Sequence, residues 1–486
     1  MAEGAREMNS GICLLIKDFQ NKHSNLASLR TGSGYTGSFF FLFTILSLSI
    51  SFSRAQPAIN KQALQQLLEN KELKSAHAGI YVYDDSSKKV IADYQSDKYF
   101  VPASNVKLFS LYAGMKYLGD SVKGMHFTQD DTAVFVFVTG DPTFLHPDFL
   151  SQPVFDFLKK SDKKIYLISR FNQWRETPWG PGWAWDDYND DYSAERSPFP
   201  VYGNFIRWNQ QKSEMNRNPA FGPTASVSSA PEIPWKVRFS NDSLPKTFLV
   251  KRLMDSNVFL IRLGKETDIT QDVPFITNGM SAAAELLQDT LGKPVAFKID
   301  TKSPVHAAWT SAGTIYSRPV DSVFVPMMYR SDNFFAEQTL LMVSEQELHF
   351  MKEDSIINFI VNGPLADLPQ KPDWVDGSGL SRYNLFSPQD FVSLLMKFKN
   401  AFGMDRMKRI LPTGGAGTLK NFYRAESGYV FAKTGSMSGV LCISGYIYST
   451  KKHLLEFSIL VNNNKGGNTA IRREIEIYIE SLRKNN

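Results

Sequence analysis

The sequence predicts an α+β fold, in which an antiparallel sheet flanked by helices is interrupted by one or more inserted β-rich domains. Segments with helical periodicity and strand-like runs occur towards both ends of the chain, whereas residues 120–305 contain short strand-like runs between loops rich in Pro, Gly and Trp. The chain has 486 residues, enough for two or three domains. We therefore expect a discontinuous domain over residues 56–119 and 306–486, with accessory domains over residues 120–305.

The N-terminal segment carries a targeting signal. Residues 39–52, FFFLFTILSLSISF, form an apolar run that is typical of a signal peptide and is short of the roughly 20 residues of a spanning helix. Ser53 and Ala55 suit the −3 and −1 positions of a cleavage site. The 38 residues before the run are long for a signal peptide, so an uncleaved anchor with loose membrane association is the alternative. Residues 1–55 are thus predicted to be a signal peptide or membrane anchor of an exported protein.

The first half of the discontinuous domain is predicted to contain a helix, a hairpin and a second helix. Apolar residues recur at helical spacing between Ile59 and Leu73. The run AGIYVYDDSSKKVIADY has two strand-like halves around a turn, which predicts a β-hairpin. The run NVKLFSLYAGMKYLG then predicts a helix up to Gly119. We expect Ser104 in the first turn of that helix and Lys107 one turn later on the same face.

The inserted segment and the C-terminal half differ in their patterns. The insertion has strand-like runs, namely TAVFVFVTG, KKIYLIS, KTFLVKRL and VFLIRL. Helices are predicted from about residue 310 onward, in SDNFFAEQTLLMVSEQ, SPQDFVSLLMKFKNAF and TAIRREIEIYIESLRK. Between the last two helices lie three predicted strands, SGYVFAKTG, GVLCISGYIYST and HLLEFSILVNN. A Ser-Thr-Lys-Lys turn joins the last two strands into an antiparallel hairpin.

Composition argues against several classes of function. The net charge is only +5 and no dense Lys/Arg tract is present, so no nucleic-acid partner is expected. Removal of the leader would leave Cys442 as the single cysteine, which rules out an intrachain disulfide. The seven histidines show no ligand spacing, and we expect neither a metal nor another cofactor.

Three short motifs carry the chemistry. Ser104 and Lys107 form an S-x-x-K pair, but several other pairs share this spacing: Ser86/Lys89, Ser161/Lys164, Ser243/Lys246, Ser449/Lys452 and Ser481/Lys484. An S-D-N triplet starts at Ser331 at the entrance to a predicted helix, and the chain's one K-T-G starts at Lys433 at the end of a predicted strand. All three motifs in this order are typical of penicillin-recognising serine acyltransferases, which selects Ser104 over the other serines.

The residue types suit acyl transfer. A serine hydroxyl becomes an effective nucleophile when a neighbouring base takes its proton. Lys107 can act as that base if burial and the nearby positive charge of Lys433 lower its pKa. A strand that carries K-T-G can pair with an extended peptide, and the Thr434 hydroxyl and the Lys433 charge could hold its terminal carboxylate.

The chain resembles the class C low-molecular-mass penicillin-binding proteins, the D-alanyl-D-alanine carboxypeptidase/endopeptidases of peptidase family S13. Further stretches support the resemblance, namely TGDPTF (139–144), PGWAWDDYNDDYSA (181–194), VDGSGLSRYNLFSP (375–388) and LPTGGAGTL (411–419). The similarity runs from about residue 60 to the C-terminus. It implies a penicillin-binding-protein/β-lactamase-like acyltransferase domain, and the 223 residues between Lys107 and Ser331 would hold the family's extra domains.

The resemblance also implies roles for individual residues. Ser104 would be the acylated nucleophile, Lys107 its general base and Ser331 the group that relays the proton to the leaving D-alanine. Asn333 would bind the substrate's peptide amide, and the K-T-G strand, which includes Gly435, would bind its carboxylate.

Two further positions follow from the same resemblance. The oxyanion hole would consist of the N–H groups of Ser104 and Met437. Asp187 corresponds to the acidic residue that faces the amine of a diaminopimelate side chain in relatives. The neighbouring Asp186 departs from the family pattern and leaves this contact open.

The implied function is a periplasmic serine-type D-Ala-D-Ala carboxypeptidase that trims peptidoglycan stem peptides and is acylated by β-lactam antibiotics. Cleavage of cross-links as an endopeptidase, and the oligomeric state, are left open. One alternative is a β-lactamase or esterase built on the same motifs, which the long insertion disfavours. Another is a non-catalytic cell-wall-binding protein, for which an intact nucleophile would have no use.

Overall fold

The structure is a computed structural model that describes residues 60–212, 225–240, 247–266, 268–301, 313–465 and 467–486. The predicted leader, residues 1–55, lies outside these ranges. Among the described residues, every helix is too short or too polar to span a bilayer.

One five-stranded antiparallel sheet joins the two ends of the described chain. Its strands are β1 (His77–Asp84), β2 (Lys89–Tyr94), β14 (Val430–Met437), β15 (Val440–Tyr448) and β16 (Leu454–Asn462), in the order β14-β15-β16-β1-β2. The predicted hairpins β1–β2 and β15–β16 are both present. β16 is buried along its whole length, because helices cover both faces of the sheet.

The helices that cover this sheet include those expected from periodicity. Their bounds are α1 (60–68), α2 (Lys107–Tyr117), α5 (Asp321–Tyr329), α6 (Asn333–Leu348), α7 (Glu353–Asn362), α8 (Pro388–Phe402), α9 (Met404–Ile410) and α10 (Asn468–Asn485). α1 and α10 pack on one face, and α2, α6 and α8 lie on the other. α2 is buried from residue 107 to residue 115, which makes it the central helix of the domain.

The inserted segment is built around a second five-stranded sheet, in the order β12-β5-β4-β3-β13. Its strands are β3 (Ser121–Gln129), β4 (Ala133–Phe137), β5 (Lys164–Arg170), β12 (Val295–Asp300) and β13 (Gly313–Pro319). Two three-stranded sheets accompany it, formed by β6 (Phe205–Lys212), β7 (Ala225–Ala230), β8 (Val237–Phe239), β9 (Leu249–Arg252), β10 (Phe259–Arg262) and β11 (Ile269–Pro274).

Two features of the insertion were not predicted. β4, β5 and β12 are parallel, and helices α3 (Pro153–Lys160) and α4 (Ser281–Leu291) lie in the connections between them, because parallel neighbours need a crossover. β13 lies beyond residue 305 and still pairs with β3 of the inserted sheet. The domain limits stay a prediction, whereas the α+β architecture with an interrupted antiparallel sheet is present.

Candidate active site

Ser104 lies in a 3-10 turn, Ala103–Val106, that leads directly into α2, and not in the first turn of the α-helix itself. Ala103 has a φ of +47°, so the backbone just before Ser104 adopts a left-handed conformation. A Cβ at Gly435 would lie 2.5 Å from the Pro102 carbonyl oxygen, and one at Gly379 would lie 2.1 Å from that of Ala103. The turn is thus held between β14 and the 376–384 loop, at distances that admit only glycine.

Lys107 connects Ser104 to the S-D-N triplet and to the 376–384 loop. Its Nζ lies 3.0 Å from Ser104 Oγ, 2.6 Å from Asn333 Oδ1 and 2.7 Å from the backbone oxygen of Ser378. A neutral amine has two N–H donors and one lone pair. The two carbonyl oxygens can only accept hydrogen bonds, which leaves the lone pair for the Ser104 hydroxyl.

Burial favours the neutral form of the Lys107 amine near physiological pH. Lys107 is fully buried, and desolvation lowers its pKa to about 8, although the carboxylates of Asp376, Glu337 and Asp332 oppose the shift. Of the two causes that the sequence predicts, burial is the one that lowers the Lys107 pKa, and the charge of Lys433 is not among the causes. Lys107 therefore combines a base-like geometry with a base-like pKa.

The S-D-N triplet lies where α6 begins. Ser331 has a φ of +65°, and the Asp332 side chain caps α6 by accepting a hydrogen bond from the N–H of Phe335 at 3.0 Å. Asn333 receives the Lys107 amine on Oδ1 and donates through Nδ2 to the backbone oxygen of Tyr192 at 2.9 Å. Its amide therefore links α2 to the inserted segment.

Lys433 approaches the site from β14. Its Nζ lies 2.8 Å from Ser331 Oγ, so the hydroxyl of Ser331 contacts the second lysine. Burial lowers the Lys433 pKa, and the charge of Lys107 lowers it further. Because the Lys107 charge is one of the two causes of this shift, loss of the Lys107 proton removes that part of it.

Two cavities meet at Ser104, Ser331 and Ser436. The first, of about 600 Å³, is lined by Asn333, Met437 and Asp187 together with the Trp183 region of the insertion. Burial and the neighbouring Asp190 and Asp186 raise the Asp187 pKa. The second cavity, of about 540 Å³, includes Thr434 and extends towards residues 417–422 and α10.

The structure therefore brings together all the residues predicted from the motifs. Ser104, Lys107, Ser331, Asn333, Lys433, Thr434 and Gly435 surround one point, and Met437 and Asp187 line the adjoining first cavity. Their roles stay predictions.

Sequence reasoning missed the elements that support Lys107. The Ser378 carbonyl belongs to the D-G-S-G-L-S-R segment, which could be read as bracing the site or as touching substrate, and here it braces Lys107. Asp376 of the same segment accepts a hydrogen bond from Trp183 Nε1 at 2.9 Å, which ties the loop to the P-G-W-x-W motif.

A buried charge network lies behind that loop. The Glu353 and Glu337 carboxylates each accept a backbone N–H at 2.7 Å, from Gly377 and Ser378 respectively. Arg196, fully buried in the inserted segment, pairs with both carboxylates. No local sequence pattern marks the contacts of Arg196 with Glu337 and Glu353, which are more than a hundred residues away along the chain, whereas its third carboxylate partner, Glu176, lies 20 residues before it.

Comparison with known proteins gives consistent matches. A model of the D-Ala-D-Ala carboxypeptidase 3 (S13) family matches residues 60–485. A D-alanyl-D-alanine carboxypeptidase of Actinomadura sp. is 25% identical over 476 residues, covering 87% of this chain and 87% of that protein.

Among solved structures, penicillin binding protein 4 of Haemophilus influenzae gives a TM-score of 0.66 at 22% identity and covers 86% of this chain and 98% of its own. A structure of the same protein complexed with a β-lactam gives a TM-score of 0.63 at 20% identity and covers 87% of this chain and 99% of its own. These two matches show a shared fold, and the predicted fold class is confirmed.

Proposed function

The chain belongs to the D-Ala-D-Ala carboxypeptidase 3 (S13) family of peptidases, and we propose that it hydrolyses the terminal D-Ala-D-Ala bond of peptidoglycan stem peptides through an acyl-enzyme on Ser104. The resemblance to class C penicillin-binding proteins is confirmed by the family match. The observation that carries the proposal is the buried Lys107 amine, with a pKa of about 8, lying 3.0 Å from the Ser104 hydroxyl.

Acylation starts with the transfer of the Ser104 proton to Lys107. The freed Oγ attacks the carbonyl carbon of the penultimate D-Ala, and the N–H groups of Ser104 and Met437 stabilise the oxyanion. The C–N bond then breaks, and the proton held by Lys107 passes through Ser331 to the leaving nitrogen, so Lys107 becomes neutral again. The Ser331 hydroxyl contacts Lys433 at 2.8 Å. D-Ala departs, and water hydrolyses the ester with Lys107 as base, which regenerates Ser104.

Substrate is held on β14. This strand is at the edge of its sheet, so an extended peptide can add to it by backbone hydrogen bonds. Asn333 binds the peptide amide, and Thr434 and Lys433 bind the terminal carboxylate. Asp187, in the first cavity, faces the side chain of the third stem residue.

The protein acts in the cell envelope after export, with residues 1–55 as the signal peptide or anchor. β-Lactams acylate the same serine, a proposal supported by the related protein of the same fold that is complexed with one. Because cavities extend from Ser104 in two directions, the site also has room for a cross-linked peptide, which supports an endopeptidase activity.

The proposal is tested by the intact mass of the mature chain after incubation with benzylpenicillin. A single penicilloyl adduct is expected on the wild type and none on Ser104→Ala. Ser481→Ala is the matched control, because Ser481 has the same spacing to a lysine but lies on α10. Release of D-Ala from a stem pentapeptide is then measured with the same three proteins.

Two outcomes would contradict the proposal. Rapid turnover of the penicillin would indicate the β-lactamase alternative. An unlabelled wild type with intact penicillin and no D-Ala release would indicate a binding protein that has retained the motifs.

A further inference from the structure

The second cavity, which we call the basic cavity, has a one-sided charge. Its lining includes three cationic residues, Arg330, Lys420 and Arg472, and contains no Asp or Glu. The first cavity, on the other side of Ser104, instead contains one acidic and one basic side chain, Asp187 and Arg382. A cavity with only cationic charge suits an anionic ligand.

Of these three cations, Arg472 contacts the K-T-G strand directly. It projects from α10, and its Nη2 donates a hydrogen bond to the hydroxyl of Ser436. Arg472 forms no ion pair with any carboxylate in the described ranges, and its buried Nε has no hydrogen-bond partner there. The adjacent Arg473 is different, because it pairs with Glu476.

The other two cations differ in their availability. Arg330 is already neutralised, because it forms ion pairs with Asp148 and Asp332. Lys420 is exposed and forms no ion pair within the described part of the chain. The basic cavity therefore offers two uncompensated charges, Arg472 beside β14 and the exposed Lys420.

The hydroxyls beside Arg472 complete a carboxylate site. Thr434 and Ser436 are two residues apart on β14, so their side chains point to the same face, and both line the basic cavity. A guanidinium next to two hydroxyl groups offers the directed donors that a carboxylate accepts.

We propose that Arg472 and the Ser436 hydroxyl join Thr434 and Lys433 in binding the carboxylate of the leaving group, and that Lys420 binds a second carboxylate when the leaving group is an acidic peptide. The inference rests on the proposed function, because in that function Thr434, which lines the basic cavity, binds the terminal carboxylate of the leaving group. Arg472 and Lys420 are then specificity-determining residues. A cross-linked stem peptide is then a preferred substrate, because its leaving strand has several carboxylates.

The role of Arg472 is tested with two pentapeptides that differ only in a C-terminal free acid or amide. In Arg472→Gln, kcat/KM for the acid should fall about 10- to 100-fold, as expected for the loss of a charged hydrogen bond, whereas the amide should be cleaved as by the wild type. Arg473→Gln is the matched control and should keep the wild-type preference for the acid. An equal fall for acid and amide in Arg472→Gln would show a structural role and overturn the assignment.

The role of Lys420 is tested with a cross-linked stem-peptide dimer. Lys420→Gln should reduce kcat/KM for the dimer about 3- to 5-fold at low salt and leave the pentapeptide acid unchanged. An unchanged rate with the dimer would overturn this second assignment. A wild type that cleaves none of the three substrates would instead refute the proposed function, so the two failures are distinguishable.

Discussion

The backbone carbonyl of Ser378 accepts a hydrogen bond from Lys107 Nζ at 2.7 Å, so a loop far away in the sequence fixes the orientation of the proposed base. The N–H of Ser378 is bound in turn by Glu337, whose carboxylate pairs with Arg196. The inserted segment thus reaches the proposed base through a buried arginine and a carboxylate, and damage to this network should affect both stability and acylation.

Arg196→Met should therefore destabilise the protein and slow acylation. The substitution removes the cation shared by Glu337 and Glu353, whose pKa values are raised by burial, and breaking such a buried pair typically costs about 3–5 kcal/mol. Denaturant unfolding and the rate of acylation by a β-lactam measure the two effects.

The matched control for Arg196→Met is Arg207→Met. Arg207 forms a part-exposed pair with Asp272, so the control should lose about 1 kcal/mol or less. Equal losses in the two variants would show that the buried network does not stabilise the loop.

The rate of acylation should rise with pH through about pH 8. Below this pH Lys107 is protonated and cannot accept the Ser104 proton, and above it the neutral amine predominates. Asp332→Asn should move the midpoint of the profile to lower pH, because the Asp332 carboxylate raises the Lys107 pKa. Asparagine also caps helices, so α6 should be retained. The measurement is the second-order rate constant of β-lactam acylation between pH 6 and 9.

Asp367→Asn is the control for this profile, because Asp367 is an exposed residue that pairs with Lys397. Its midpoint should equal that of the wild type. A midpoint that moves upward in Asp332→Asn would contradict the assignment of Lys107 as the base.

Gly435→Ala should impair acylation more than stability. The new methyl group would lie 2.5 Å from the Pro102 oxygen and 3.1 Å from the Ser104 nitrogen, so the nucleophile turn must shift. A misplacement of about 1 Å can cost about 10²-fold in rate. The acylation rate and the melting temperature of the variant are compared with those of the wild type.

Gly428→Ala is the control for steric contact, because a Cβ there meets nothing within 4 Å although its φ is +79°. It should lose about 1 kcal/mol of stability at a normal acylation rate. Normal acylation in Gly435→Ala would mean that β14 does not hold the turn.

The sequence was most informative where function depends on local patterns. The spacing of Ser104 and Lys107, and the order of the three motifs along the chain, were sufficient to predict which side chains meet, although Lys433 lies in the middle of β14 and not at the predicted end of the strand. Periodicity also predicted α6, α8, α10 and the β15–β16 hairpin.

The remainder depends on contacts between distant parts of the chain. No pattern near Arg196 reveals its partners Glu337 and Glu353, and none near Arg472 reveals its contact with Ser436. The parallel strands of the insertion were missed for a similar reason, because short apolar runs do not disclose the direction of their neighbours.

Glu456 should make the protein less stable as the pH rises from about 5 to 8. It lies on β16, both of its carboxylate oxygens are buried without a hydrogen-bond partner in the described structure, and burial raises its pKa to about 8. Between about pH 5 and pH 8 the folded state therefore holds a proton on Glu456 that the unfolded state has already lost. The contribution of this proton to the free energy of unfolding is complete below the unfolded pKa and is lost by about pH 8. Glu456→Gln removes the titration, so the variant should exceed the wild type by a few kcal/mol at pH 8 and match it near pH 4.5. Melting temperatures of both proteins across this range test the prediction, and parallel curves would show that Glu456 does not titrate with a raised pKa.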